Sequence, residues 1–450
     1  MKAKLAYDRG TLLLTGGWGA PYTVWDHRVK AFRAPAYRYR DIAEYFERSR
    51  IPFEDHVLSP LPMDKAPVGR FKLRDFQERA VEAWFRAGGR GVVVLPPGSG
   101  KTVIAAEVIR RLCKPTLVVV PTLPLLDQWR SMISRLLGIE AGALGGGRHE
   151  LRGITVSTYD SAYLRAEELG DRFELAVFDE CHHLAAEGYS QIGEMLAAPY
   201  RLGLTATFER EDGRHILLFS LIGGIVFRMG PGELAGKHLA EFEVVRVPVK
   251  LTEEEKLEYE KCMREYKSYL EKAGLRIRDI DDFRKLIMRS GVSLPARRAL
   301  LAWNEARKIA LNSRAKIEAL KEILEAHRQD KVLIFTEYNE MAELISRELL
   351  IPLITHRTRR EEREELLSGF KEGRYTKIVT SKVLDEGVDV PDARVAVIVG
   401  GSGSRREFIQ RLGRVLRKSG VKVALLYEIV SKGTVETRVS SRRRRALREV

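Results

Sequence analysis

A chain of 450 residues has room for roughly three domains of about 150 residues each, and its 44% hydrophobic content can fill sizeable cores. No apolar run reaches the ~18 residues of a membrane helix, Met1–Leu5 lack a secretory apolar segment, and Cys113, Cys181 and Cys262 are scattered with no C-x-x-C, which predicts a cytoplasmic, reducing setting without disulfides, zinc or iron–sulfur clusters. A net charge of +15 favours a polyanionic partner.

Residues 1–62 predict a small unit, with strands over 4–8 and 12–15 around Arg9-Gly10, a helix over 41–50 and a linker from Leu58. Its aromatic residues, Trp18, Tyr22, Trp25, Phe32, Tyr37, Tyr39, Tyr45 and Phe46, alternate with Arg33, Arg38 and Arg40. They suit either a small core or a base-stacking surface with phosphate contacts.

From 68 to 235, short apolar runs at 92–95, 116–120, 154–157, 175–178 and 201–204 alternate with helical stretches. That alternation predicts a doubly wound parallel α/β sheet, with functional groups at the carboxyl ends of its strands. Residues 250–312 read as helices only, over 253–273, 279–288 and 296–311. They fit a spacer or an arm that grips a ligand. Strands return at 331–335, 353–354, 377–380, 395–399 and 422–427, predicting a second α/β lobe over 313–432. A basic tail over 433–450 follows. The last fifty residues hold 14 Lys or Arg against 4 Asp or Glu. Two-thirds of the excess charge therefore lies there, either solvated or on phosphates. The scarcity of amides (Asn304, Asn312 and Asn339 are the asparagines) fits a thermophile or GC-rich coding.

Residues 95–102, Leu-Pro-Pro-Gly-Ser-Gly-Lys-Thr, stand between a strand and a helix, the context of a phosphate-binding loop. The full pattern has Gly where Leu95 stands; the G-x-G-K-T core is intact. Backbone N–H groups from Gly98 to Thr102 and the positive helix end cradle phosphate. Pro97, Ser99 and Gly100 shape the loop, Lys101 adds a point charge, and Thr102 offers a hydroxyl to Mg²⁺. Downstream, Asp179-Glu180-Cys181-His182 ends another apolar strand. Asp179 is suited to hold Mg²⁺, Glu180 to activate water, and His182 with Thr205 and Thr207 to couple the site to the next strand. Gln410, Arg414 and Arg417 fall at i, i+4 and i+7 of a helical stretch, on one face. Two guanidinium forks there suit the charge on a transferring phosphoryl group.

Taken in order, these motifs resemble those of superfamily 2 helicases over nearly all of 68–430. The resemblance implies two RecA-like parallel-sheet lobes with a small N-terminal α+β domain and a helical thumb insertion. It makes Arg74 and Gln77 adenine-recognising residues, Thr122, Tyr159, Thr336 and Thr380 strand-binding residues, and Gly387 and Asp389 part of the ATP site. Cys181-His182 and Gln410 depart from DEAD-box RNA helicases. Arg210-Glu211-Asp212, directly after the Thr205-Ala206-Thr207 segment, matches the R-E-D motif of XPB helicases, and the compact chain resembles the archaeal members. That family implies ATP- and Mg²⁺-dependent 3′→5′ DNA unwinding by a monomer on forked or damaged duplex. It further implies a setting in nucleotide excision repair or transcription-linked opening, a repair nuclease as partner, and strand separation by Arg210, Glu211 and Asp212. A double-stranded DNA translocase that opens DNA only with a partner would carry the same motifs.

Overall fold

The computed structural model describes residues 2–16, 19–69, 71–210, 212–230, 233, 242–277, 280–381, 393–400, 424–437 and 440. The chain divides into two compact units, Met1–Met229 and Gly230–Val450. Among the described residues, no helix is long and apolar enough to cross a membrane.

In the first unit, β1 (Ala3–Asp8) and β2 (Thr11–Thr15) form a hairpin whose turn holds Arg9 and Gly10 at φ +46° and +85°. Three strands that the sequence pattern leaves unassigned, β3 (Val24–Asp26), β4 (Ala31–Pro35) and β5 (Phe53–His56), complete a sheet ordered β3-β4-β2-β1-β5. They are short, and their burial does not alternate, so the period-2 pattern of a strand hardly shows. The helix Tyr39–Arg48 lays Ile42 and Phe46 on Ala3, Leu5, Leu12 and Leu14. Most of the aromatic residues therefore serve packing. Phe32, Tyr39 and Tyr45 pack around that core, Tyr22 and Trp25 are exposed, and Trp18 lies outside the described residues. The expected linker is pinned: Ser59 and Leu61 N–H groups donate to the Asp171 and Arg172 carbonyls at 2.9 and 3.0 Å. The Arg90 guanidinium adds bonds to the carbonyls of Tyr37 and Pro199.

The larger sheet of this unit contains β6 (Arg90–Val94), β7 (Thr116–Val120), β8 (Gly142–Gly145), β9 (Arg148–Glu150), β10 (Ile154–Thr158), β11 (Leu175–Asp179), β12 (Tyr200–Thr205) and β13 (Ile225–Arg228). Its order is β13-β6-β12-β11-β7-β10-β8-β9, parallel except for the β8–β9 hairpin. Helices cover both faces, so the central strands are buried throughout and read as unbroken apolar runs. One exception hides inside such a run. Arg201 on β12 is fully buried, and its guanidinium donates to the carbonyls of Ala198, Gly193, Leu221 and Leu196. Burial pushes its pKa well below the usual arginine value.

In the second unit, β14 (Phe242–Val249), β15 (Val332–Thr336), β16 (Leu353–Ile354), β17 (Lys377–Thr380), β18 (Val395–Val399) and β19 (Ala424–Ser431) form an all-parallel sheet ordered β14-β19-β18-β15-β17-β16. The expected start of this lobe at 313 is corrected: β14 precedes the helices and pairs with β19 from Phe242–Ala424 to Val249–Ser431. The helices Glu253–Lys272, Ile280–Ser290 and Leu294–Leu311 lie between β14 and β15. Thr252 and Glu255 form a capping box on the first. On the third, Ala296, Ala299, Ala302, Ala306 and Ala310 are buried at helical spacing, which lets the neighbouring backbone approach closely. The expected tail boundary at 433 also moves. Thr434, Glu436 and Ser440 are buried, Glu436 pairs with buried Lys316 at 2.7 Å, and Ser440 Oγ donates to Glu428 Oε2 at 2.6 Å. Thr434, Glu436 and Ser440 thus belong to the lobe.

Candidate nucleotide site

The loop after β6 enters the helix Lys101–Leu112 through Gly98 and Gly100, at φ +77° and +79°. A Cβ on Gly100 would stand 2.6 Å from Gln77 Nε2, so both its conformation and its surroundings require glycine. Gln77 is buried. Its Nε2 donates to the Ser99 carbonyl at 2.9 Å, and its Oε1 accepts from the Arg74 N–H at 3.0 Å, capping the helix Asp75–Arg86. Gln77, expected to read adenine, here binds protein through both ends of its amide and so braces the loop. Arg74 supplies the backbone half of that cap.

Lys101 Nζ donates to the Leu95 carbonyl at 3.2 Å and lies 3.9 Å from Glu180 Oε1. Glu180 stands one residue past β11 at φ +45°, a sparsely populated conformation for a non-glycine residue. Asp179 is buried. Its Oδ1 accepts from the Glu180 N–H at 3.0 Å and its Oδ2 from the Trp129 indole N–H at 2.8 Å. Burial pushes the Asp179 carboxyl up to about 6; the Glu180 carboxylate adds to the rise, and Lys101 and Trp129 oppose it. The next strand closes the group. Thr205 Oγ1 is 3.1 Å from His182 Nδ1 and 3.3 Å from Glu180 Oε2, and it donates to the Thr207 carbonyl at 2.7 Å. Lys101, Asp179, Glu180, His182, Thr205 and Thr207 are thus brought together at the carboxyl ends of β6, β11 and β12.

These residues fit a nucleoside triphosphate with its cation. Ser99 Oγ is buried with no hydrogen-bond partner among the described residues. Two left-handed glycines clear the loop backbone, Thr102 stands in the first helical turn, and the Glu180 carboxylate lies beside the Lys101 ammonium. Such a donor set, hard oxygens beside a phosphate cradle, is the chemistry of Mg²⁺.

The expected strand-binding residues fare differently. Thr122 caps the helix Leu123–Leu137, and its Oγ1 is buried without a partner among the described residues. Tyr159 is corrected: its ring is in the core and its hydroxyl donates to the Asp179 carbonyl at 3.1 Å, so it supports the acidic pair from beneath. Thr336 and Thr380 are fully buried at the ends of β15 and β17, and donate to the carbonyls of Tyr338 and Ser381. Buried hydroxyls satisfied by carbonyls cannot touch a strand, which corrects both. Arg210 and Asp212 grip one another through paired bonds of 2.9 and 2.6 Å, and Arg210 Nη1 donates to the His182 carbonyl at 2.8 Å. The Arg210 bond holds the Asp212 carboxyl down at about 2. Through these contacts the two residues brace this loop against the acidic motif. Pro97 remains in the loop. Glu211, Gly387, Asp389, Gln410, Arg414 and Arg417 lie outside the described residues.

The motif reading missed Trp129. A tryptophan among buried helix positions needs a partner for its N–H, and that need was its signal.

Three family models match in chain order: the Xeroderma pigmentosum group B helicase damage recognition domain over 5–57, the type III restriction enzyme res subunit over 70–210, and the helicase conserved C-terminal domain over 315–419. The "DNA 3′-5′ translocase XPB2" of Sulfurisphaera tokodaii is 47% identical over 440 residues, covering 98% of this chain and 99% of that one. The "DNA 3′-5′ helicase XPB" of Mycobacterium tuberculosis is 33% identical, covering 84% and 64%. Among solved structures, the Pyrococcus furiosus Hef helicase domain superposes with a TM-score of 0.55 at 21% identity, covering 83% of this chain and 98% of that one. S. cerevisiae Dbp5 bound to RNA and ADP BeF3 gives 0.58 at 15%, covering 84% and 88%. These likenesses establish two RecA-like helicase lobes, and with the whole-length relative they show that the chain belongs to the XPB family of superfamily 2 helicases.

Proposed function

We propose that the chain is an ATP-driven 3′→5′ DNA helicase acting in repair-linked or transcription-linked opening. The observation that carries this reading is the convergence of Lys101, Asp179 and Glu180 on one phosphate loop. Thr102 and Asp179 would hold Mg²⁺, which neutralises charge on the outer phosphates. Glu180 takes the proton of the attacking water, oriented by Lys101 on one side and Thr205 on the other. From the motif pattern, Gln410, Arg414 and Arg417 stabilise phosphoryl charge, and Gly387 and Asp389 join them. A forked or damaged duplex is the substrate, a monomer the working form and a repair nuclease the partner.

Lys101→Ala tests the site: ATP hydrolysis should fall at least ~10³-fold while DNA affinity stays within about twofold, measured by phosphate release and fluorescence anisotropy. Near-normal hydrolysis would refute it. The name of the 47% identical relative favours a second reading, an ATP-driven duplex translocase. Triplex displacement without fork unwinding by the isolated protein would select it.

A further inference from the structure

We infer that Trp129 is a positioning residue for the metal-binding carboxylate, acting through its indole N–H on Asp179. The inference rests on the nucleotide-site reading above. Trp129 is buried on the helix Leu123–Leu137, and Nε1 lies 2.8 Å from Asp179 Oδ2. The indole is a donor only, so the contact presents Oδ2 as an acceptor and never competes for its protons. The Glu180 N–H holds Oδ1 at 3.0 Å. One fixed donor per oxygen sets the plane of the carboxyl group and leaves each oxygen further lone-pair capacity toward the loop. Partners of this kind orient a ligand without touching the ion.

The bond also links two elements. The helix that carries Trp129 starts at Thr122, whose side-chain hydroxyl has no partner among the described residues. A shift of that helix would turn the carboxylate that Trp129 holds. Packing alone does not explain the contact. A residue that only filled space there would not place its one polar atom at hydrogen-bonding distance from a buried carboxylate.

The test separates hydrogen bond from volume. In the full chain, Trp129 is replaced by β-(3-benzothienyl)alanine, which keeps the ring shape and puts sulfur in place of N–H, and in parallel by Phe. Binding of fluorescent ADP is followed at graded Mg²⁺ and in EDTA, with Mn²⁺ binding to the ADP complex read by electron paramagnetic resonance. The isostere should raise the metal concentration for half-saturation about 10-fold, with EDTA binding unchanged. Trp129→Phe should do the same if it folds; if it does not, the isostere decides alone. An isostere that matches the wild type overturns the inference. Asp179→Asn is the control for the underlying reading. If it too keeps normal metal dependence, the site assignment fails; if it loses that dependence while the isostere keeps it, only the role of Trp129 fails.

Discussion

Asp179 is a buried carboxylate beside a second one, Glu180, and its stability effect has a definite sign. Its folded pKa of about 6 lies above the unfolded value near 3.8. As pH rises from about 4 to 6, the unfolded chain releases this proton first, so ionisation favours unfolding across that window and the penalty is complete above it. Asp179→Asn removes the charge. The variant should unfold later than wild type above pH 6, by on the order of 3 kcal/mol, and the gain should vanish near pH 4. Thermal melts of the nucleotide-free protein across pH 4–8 check this, and a pH-independent difference would contradict it. The same charge is what a cation would stabilise, so the site trades stability for affinity. At this scale residue types at motif spacings led to Lys101, Asp179, Glu180, His182 and Thr205. They could not show which way a side chain turns. Tyr159, Thr336 and Thr380 stand in motif positions but face inward, because a strand-end hydroxyl one turn from the core finds a carbonyl before it finds solvent.

Elements, more than residues, hold the site in shape, and the phosphate loop shows how. Gly100 occupies left-handed space that costs a larger residue about 1–2 kcal/mol, and an added methyl also meets Gln77. Gly100→Ala should displace the Gln77 amide, release the Ser99 carbonyl and weaken ATP binding by at least ~10-fold while the overall fold persists. Titration with a fluorescent ATP analogue and circular dichroism measure the two separately; unaltered affinity would remove Gln77 from the loop's support. The R-E-D loop makes a second case. Arg210 donates to the His182 carbonyl, so Arg210→Ala should lower DNA-independent ATP hydrolysis as well as unwinding. Loss of unwinding alone would return Arg210 to the strand. The central strands and the carboxyl-end placement of function were legible in the sequence because fully buried parallel strands leave unbroken apolar runs, whereas the order of the strands came only with the fold. β3, β5 and β14 were not, being edge or polar strands whose pairing depends on distant partners.

Across the whole chain, charge sets the terms of DNA binding. Two-thirds of the +15 excess lies after residue 400, yet part of that stretch is structural: Glu436, Ser440 and Glu428 are buried, and Glu436 pairs with buried Lys316. Removing residues 432–450 would therefore expose a buried lysine and confuse a binding effect with unfolding, since breaking a buried pair costs about 3–5 kcal/mol. A cut after Ser440 spares that pair and takes away Arg442–Arg445 and Arg448. For every arginine–phosphate pairing that the cut removes, the dependence of log affinity on log salt should flatten by about 0.9. If most of these arginines sit on phosphates, the shortened chain should show a slope smaller by roughly 3–4, with affinity converging on the full chain's at high salt. Anisotropy titrations of a forked duplex between 50 and 300 mM salt, about the range in which screening changes most, give both slopes. Identical slopes would put the tail in solvent and assign the phosphate contacts to the lobes. Because the cut lies beyond the last buried residue described, the melting temperature should not move, and that constancy makes the slope interpretable.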